Sequence, residues 1–155
     1  MDKRNLLTFA IEKIKEEQLK LERTIEELQK HKKDAPTAME SNSDRTRYEL
    51  EAQQNSFRVM IEDYTHAITQ LKSLEINEHD QNVIQLGSLI TLQNKEQILK
   101  TYFLVPQSKG IRFEYEGRLI ILCSPDTPLG GMLTGKKKGD VIEINNNSFT
   151  VVAFE

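Results

Sequence analysis

Apolar side chains, with Gln18 as a polar exception, recur at alternating steps of four and three from residue 7 to residue 28: Leu7, Ile11, Ile14, Gln18, Leu21, Ile25 and Leu28. The same steps return over Leu50, Gln54, Phe57, Ile61, Tyr64, Ile68 and Leu71. Such spacing gives each helix one seam, the pattern of a coiled coil. Folding the chain back pairs Leu28 with Leu50, Ile25 with Gln54, Gln18 with Ile61 and Leu7 with Leu71. The numbers of every such pair add to 78 or 79, which is what an antiparallel hairpin requires. Its turn centres near residue 39 and contains Pro36, where a helix must break. Ser41, Asn42, Ser43 and Asp44 offer N-cap chemistry for the second helix. Arms of about 30 residues would reach roughly 45 Å. A coiled coil between two chains would leave the matching sums without a cause, so a monomer is expected. Gln18 and Gln54 are polar seam positions of the kind that set register.

The pattern changes after residue 80. Val83 to Leu92 predicts an opening strand with Gly87 as a bulge or bend, and Gln97 to Val105 a second strand ended by Pro106. Gly117 to Cys123 is a third candidate, with a short helix boundary left open there. Ser124 or Asp126 can cap a short helix that has a proline in its first turn and Gly135 at its end. Lys136 to Asp140 is a turn, and Val141–Ile144 with Phe149–Phe154 around Asn145-Asn146-Asn147 is a hairpin signal. The expected fold class is α+β. An antiparallel coiled-coil hairpin over residues 1–78, with its tip at 34–44, precedes a small antiparallel β domain with a short helix over 79–155.

Composition sharpens that division. None of the seven glycines lies in residues 1–80, and Pro36 is the one proline there. Residues 1–80 carry 13 basic and 17 acidic side chains, a net of −4, whereas residues 81–155 carry 8 and 7, a net of +1. The whole chain of 155 residues has a net charge of −3, which argues against tight direct nucleic-acid binding. No apolar run approaches the ~20 residues of a membrane helix, so no membrane partner is expected. A single cysteine, Cys123, fits a reducing cytoplasm.

Familiar catalytic constellations are missing. There is no G-x-S-x-G, P-loop, dinucleotide fingerprint or H-E-x-x-H, and His31, His66, His79 and Cys123 do not make a zinc site. Cys123 stands in an apolar run and is expected to be a buried structural thiol. Lys136 to Lys138 form a solvated turn that could touch an acidic partner. The hairpin tip is different, because Asp34, Glu40 and Asp44 fall at the end of a long probe. Carboxylates there could offer hard oxygen ligands to Mg²⁺, or could simply cap a helix and face water.

Ser124-Pro125, then Pro128-Leu129-Gly130, then Leu133-Thr134-Gly135-Lys136, resembles the C-terminal signature of the Gre-type transcript cleavage factors of bacterial RNA polymerase. The order of a coiled-coil hairpin and a small second domain resembles that family along essentially the whole chain. The resemblance implies an FKBP-like second domain without prolyl isomerase activity. It implies a cytoplasmic protein that is not itself an enzyme, with RNA polymerase as partner and nascent RNA met only indirectly. Members insert the coiled coil into the secondary channel, where two acidic tip residues help hold a second Mg²⁺ in the polymerase active site for hydrolysis of backtracked RNA. Aligned on Tyr48, Asp44 takes the place of the second acid. Ser41 stands at the first, with Glu40 beside it, and Arg45 replaces the family's asparagine. Glu40 and Asp44 are therefore the expected catalytic and Mg²⁺-holding residues. A channel-occupying regulator without cleavage is the alternative that this altered tip implies.

Overall fold

The computed structural model describes residues 2–34, 41–76 and 82–155, with the backbone alone at 31–34, 41–44 and 46. Two helices of 32 residues come first, α1 (Lys3–Asp34) and α2 (Ser41–Lys72). A six-stranded sheet with one short helix follows: β1 (Leu89–Asn94), β2 (Leu99–Leu104), β3 (Arg112–Tyr115), β4 (Arg118–Cys123), α3 (Pro128–Leu133), β5 (Val141–Ile144) and β6 (Asn147–Phe154). By its contacts the chain forms two compact units, Met1–Lys13 with Ala67–Glu155, and Ile14–His66.

Asp2 starts α1. Its Oδ1 accepts from the backbone N–H groups of Arg4 (2.9 Å) and Asn5 (3.3 Å), satisfying donors that the first helical turn leaves without partners. α2 begins at Ser41, so Ser41, Asn42, Ser43 and Asp44 lie inside its first turn and do not precede it as caps. Pro36 lies outside the described residues. Within the Ile14–His66 unit, Gln18 Nε2 donates to Thr65 Oγ1 at 3.1 Å and joins the two helices. The bond fits the expected register. A long helical side chain leans toward its helix's N-terminus, which carries the Gln18 amide from the level of Ile61 to that of Thr65. All fourteen seam positions, from Leu7 to Leu28 and from Leu50 to Leu71, are buried or half-buried. The exposed Leu19, Val59 and Met60 all fall off the seam.

The sheet runs β3-β4-β2-β1-β6-β5, antiparallel throughout except for the parallel pair β2 and β4. Two of its hairpins close with two-residue loops whose backbones have positive φ, Asn145-Asn146 (49° and 63°) and Glu116-Gly117 (49° and 74°). That geometry matches the natural twist of paired strands. Val83–Leu86 is not strand, and β1 starts at Leu89. Gly87, at φ 84°, is a turn before β1, and the actual bulge falls between Thr91 and Leu92. β3 is a strand that the sequence pattern had not marked.

The sheet buries side chains on both faces. On one face Ile90, Leu92, Tyr102, Leu104, Cys123, Ile142 and Val151 form a core with Ile84 and with Leu133 of α3. Strand register puts Leu89, Phe103, Leu122, Ile120 and Phe113 on the opposite face. These five are at most 6% exposed. Phe9 of α1 packs against Phe113 and Tyr115 of β3, with ring centroids 5.4 and 5.1 Å apart. Phe9 thus sets the start of α1 against the β3 edge of this second face. Leu6, Ala10, Ala67 and Leu71 of the same unit are fully buried.

Candidate functional site

Two regions matter, the tip end of the hairpin and the segment from Cys123 to Asp140. At the tip, Glu40 lies outside the described residues. Asp44 is placed by its backbone in the first turn of α2. The described side chains begin with Arg45, whose Nε donates to Glu49 Oε1 at 3.1 Å, one turn farther along α2. The guanidinium is thereby directed away from the start of the helix, and its charge is partly offset by Glu49. Both groups are well exposed, so water screens the pair. Tyr48 is 75% exposed, a phenol ring held in solvent next to the tip. Among the described residues, no three His, Cys, Asp or Glu side chains converge as a metal-binding group.

The second region explains the Ser-Pro…Gly…Gly-Lys motif physically. Thr127, not Ser124 or Asp126, is the N-cap of α3: its extended backbone (φ −88°, ψ 150°) lets Oγ1 accept from Gly130 N–H at 3.1 Å. The same hydroxyl donates to the Ser124 carbonyl at 2.7 Å. Pro128 then occupies the first helical turn, where no N–H is needed. Gly130 packs so closely under Ser124 that a Cβ there would sit 2.0 Å from its carbonyl oxygen and 3.1 Å from Cys123 Sγ. Gly135, at φ 79°, follows the C-cap Thr134 and turns the chain out of the helix. Its N–H donates to the Ile84 carbonyl, and Ile84 N–H donates to Lys136 O, both at 2.8 Å. The motif is a docking element that fastens α3 to the sheet.

Cys123 is buried, and burial raises its thiol above the ordinary value, with the Thr127 hydrogen bond at 3.5 Å pulling the other way. It sits within the core as a structural residue. Lys136 to Lys138 form the expected turn, which Asp140 closes by accepting from Lys137 N–H at 2.9 Å. Lys137 and Lys138 line a shallow, open cavity of about 340 Å³ with Asn82, Ala153 and Phe154.

The Phe9, Phe113 and Tyr115 cluster is absent from the seam pattern. Its signals were a second apolar stripe on the first helix (Leu6, Phe9, Ala10) and the alternation Ile111, Phe113, Tyr115 before Glu116-Gly117.

No protein-family model matches the chain, and no curated protein matches its sequence. Among solved structures the chain is similar to the transcription factor Gfh1. The identity is 16%, the match covers 94% of this chain and 92% of that one, and the TM-score is 0.39. It is similar also to the GreA factor homolog 1 (Gfh1) protein of Thermus thermophilus, at 17% identity, 94% of each chain and a TM-score of 0.39. Among the described residues no helix is long and apolar enough to cross a membrane.

Proposed function

We propose that this chain is a bacterial transcription elongation factor of the Gre type, which binds RNA polymerase and places its helical hairpin in the secondary channel. One observation carries the proposal. The motif from Ser124 to Lys136 folds as a capped helix pinned by Gly130 beneath Ser124, and it follows two helices of 32 residues. That order and that motif together are what the family resemblance rests on.

The chemistry proposed is hydrolysis of one phosphodiester near the 3′ end of backtracked RNA. Water adds at phosphorus and the bond to the 3′ oxygen breaks. Glu40 and Asp44 would offer carboxylate oxygens to a Mg²⁺ ion held mainly by the polymerase, which lowers the pKa of water and stabilises charge on the phosphate. In this reading the polymerase supplies most of the metal's ligands and the chain completes a shared site. Its own part is positioning: the hairpin carries the carboxylates to the reacting phosphate.

Ser41 at the first acid's position and Arg45 at the asparagine favour a second proposal, occupation of the channel without cleavage. A single acid recruits a second metal poorly, and arginine repels a cation. The Arg45–Glu49 bond reduces that repulsion without supplying a ligand. Transcript cleavage in a stalled, backtracked complex with Mg²⁺ tests both, comparing the wild type, Glu40→Ala, Asp44→Ala and no factor. Stimulated cleavage lost in Asp44→Ala supports the cleavage factor, and loss in Glu40→Ala adds the second ligand. Polymerase binding without stimulation supports the channel regulator. If purified polymerase does not bind at physiological salt, both proposals fail.

A further inference from the structure

Within the Ile14–His66 unit two glutamines occupy the apolar seam, and they are treated differently. Gln18 is satisfied by Thr65 at 3.1 Å. Gln54 is 5% exposed, and its Nε2 is sealed from solvent with no hydrogen-bond partner. The register fixed by Gln18 and Thr65 puts Gln54 level with Ile25, which is 8% exposed and offers no acceptor from its side chain. The neighbouring seam residues Leu21, Leu28, Leu50 and Phe57 are only half-buried. Burying an amide donor without a partner opposes closure of the seam.

We infer that the part of the hairpin around Ile25 and Gln54 opens as a local unit, with Gln54 as its built-in weak point. When the helices part there, the amide regains water, so opening costs less at this level than at Ile14 or Leu71, which are fully buried. The result is a hairpin that is compliant between residues 21–28 and 50–57 while the ends of α1 and α2 in the other unit stay closed.

Hydrogen exchange on the full chain, free in solution, tests this without any polymerase. The variants are Gln54→Leu and Gln54→Met, which keep the volume and remove the amide, with Gln18→Leu as the comparison. Both Gln54 variants should slow exchange over residues 21–28 and 50–57 by roughly tenfold, leaving residues 5–10 and the sheet strands unchanged. Gln18→Leu should not slow exchange at 21–28 or 50–57. Unchanged exchange in both Gln54 variants, or a uniform slowing along the chain, would overturn the inference. Sedimentation of each variant at the same concentration shows whether slowing comes from self-association, which would also overturn it. None of these outcomes bears on polymerase binding.

Discussion

Phe9 of α1 meets Phe113 of β3 edge to face, with centroids 5.4 Å apart and planes inclined at 62°. Tyr115, two residues along the same strand, closes on the same ring at 5.1 Å. Lys13, one turn on in α1, places its ammonium 5.2 Å from the Phe9 centroid. An aromatic edge meets a ring face favourably, and the cation adds to the same attraction. The cluster ties the start of a helix to the edge strand of a sheet more than a hundred residues later.

Replacing Phe9 by alanine should therefore cost about 2 kcal/mol, less than a fully buried phenylalanine because the ring is half-buried. Thermal unfolding followed by near-ultraviolet dichroism measures it. Phe9→Leu should cost about half as much, since it restores burial and forfeits only the ring geometry. A Phe9→Ala protein as stable as the wild type would mean that the sheet face is covered by other side chains.

Gly130→Ala should be among the most damaging single-atom-scale changes in the chain. Its Cβ would meet the Ser124 carbonyl oxygen at 2.0 Å, and that backbone is held by Thr127 from both N–H and hydroxyl. A loss of about 3 kcal/mol or more is expected by urea unfolding. Gly131→Ala, whose Cβ would approach the Pro125 carbonyl at 3.1 Å, should cost clearly less. Equal costs would show that α3 shifts freely.

Alkaline pH should weaken the fold. Burial raises the Cys123 thiol above its ordinary 9.0, and Tyr102 is raised above 10.0, mainly by burial too. The unfolded thiol ionises first, so above its ordinary value the folded chain holds more protons than the unfolded one. The thiol's stabilising contribution is then complete below 9.0 and is lost as pH rises toward the folded value. Denaturant midpoints taken from about pH 8 to 10 should fall in the wild type. They should fall less steeply in Cys123→Ser, whatever its absolute stability, because serine does not titrate there. Parallel slopes would remove Cys123 as the source.

At the tip, restoring what the resemblance lacks should increase activity. Ser41→Asp supplies a second carboxylate three residues before Asp44, and Arg45→Asn removes a positive charge. The double variant should raise Mg²⁺-dependent transcript cleavage by about tenfold or more, equivalent to roughly 1.4 kcal/mol of barrier. Strong and equal cleavage by both would point to Glu40 as the second ligand, whereas no stimulation by either would favour the channel regulator.

Much of this was legible in the chain. Leu7 to Leu28 and Leu50 to Leu71 set the seams, because a period of 3.5 places every such residue on one stripe of its helix. Asn145-Asn146 marked a hairpin because asparagine tolerates positive φ better than most residues. Gly130 was visible as part of a motif, although its reason was not: only the fold brings Ser124 O within 2.0 Å of its missing side chain. β3 does alternate, with Phe113 and Tyr115 on one face and Arg112 and Glu114 on the other, but four residues make too short a run to stand out. Val83–Leu86 was apolar for another reason, since Ile84 inserts into the core from a loop that bonds to Gly135 and Lys136.

The sequence by itself determined the two long helices, their antiparallel return, their place ahead of the strands, and the Asn145-Asn146 hairpin, since each depends on neighbours within a few positions or on a repeat. Tertiary structure alone decided which face of the sheet Phe9 covers, why position 130 admits no side chain, and which seam glutamine finds a partner. The first and third depend on groups distant in the chain and the second on the packing of one turn, and all on meeting at van der Waals or hydrogen-bond range, where a few tenths of an ångström separate contact from clash and a satisfied amide from an orphaned one.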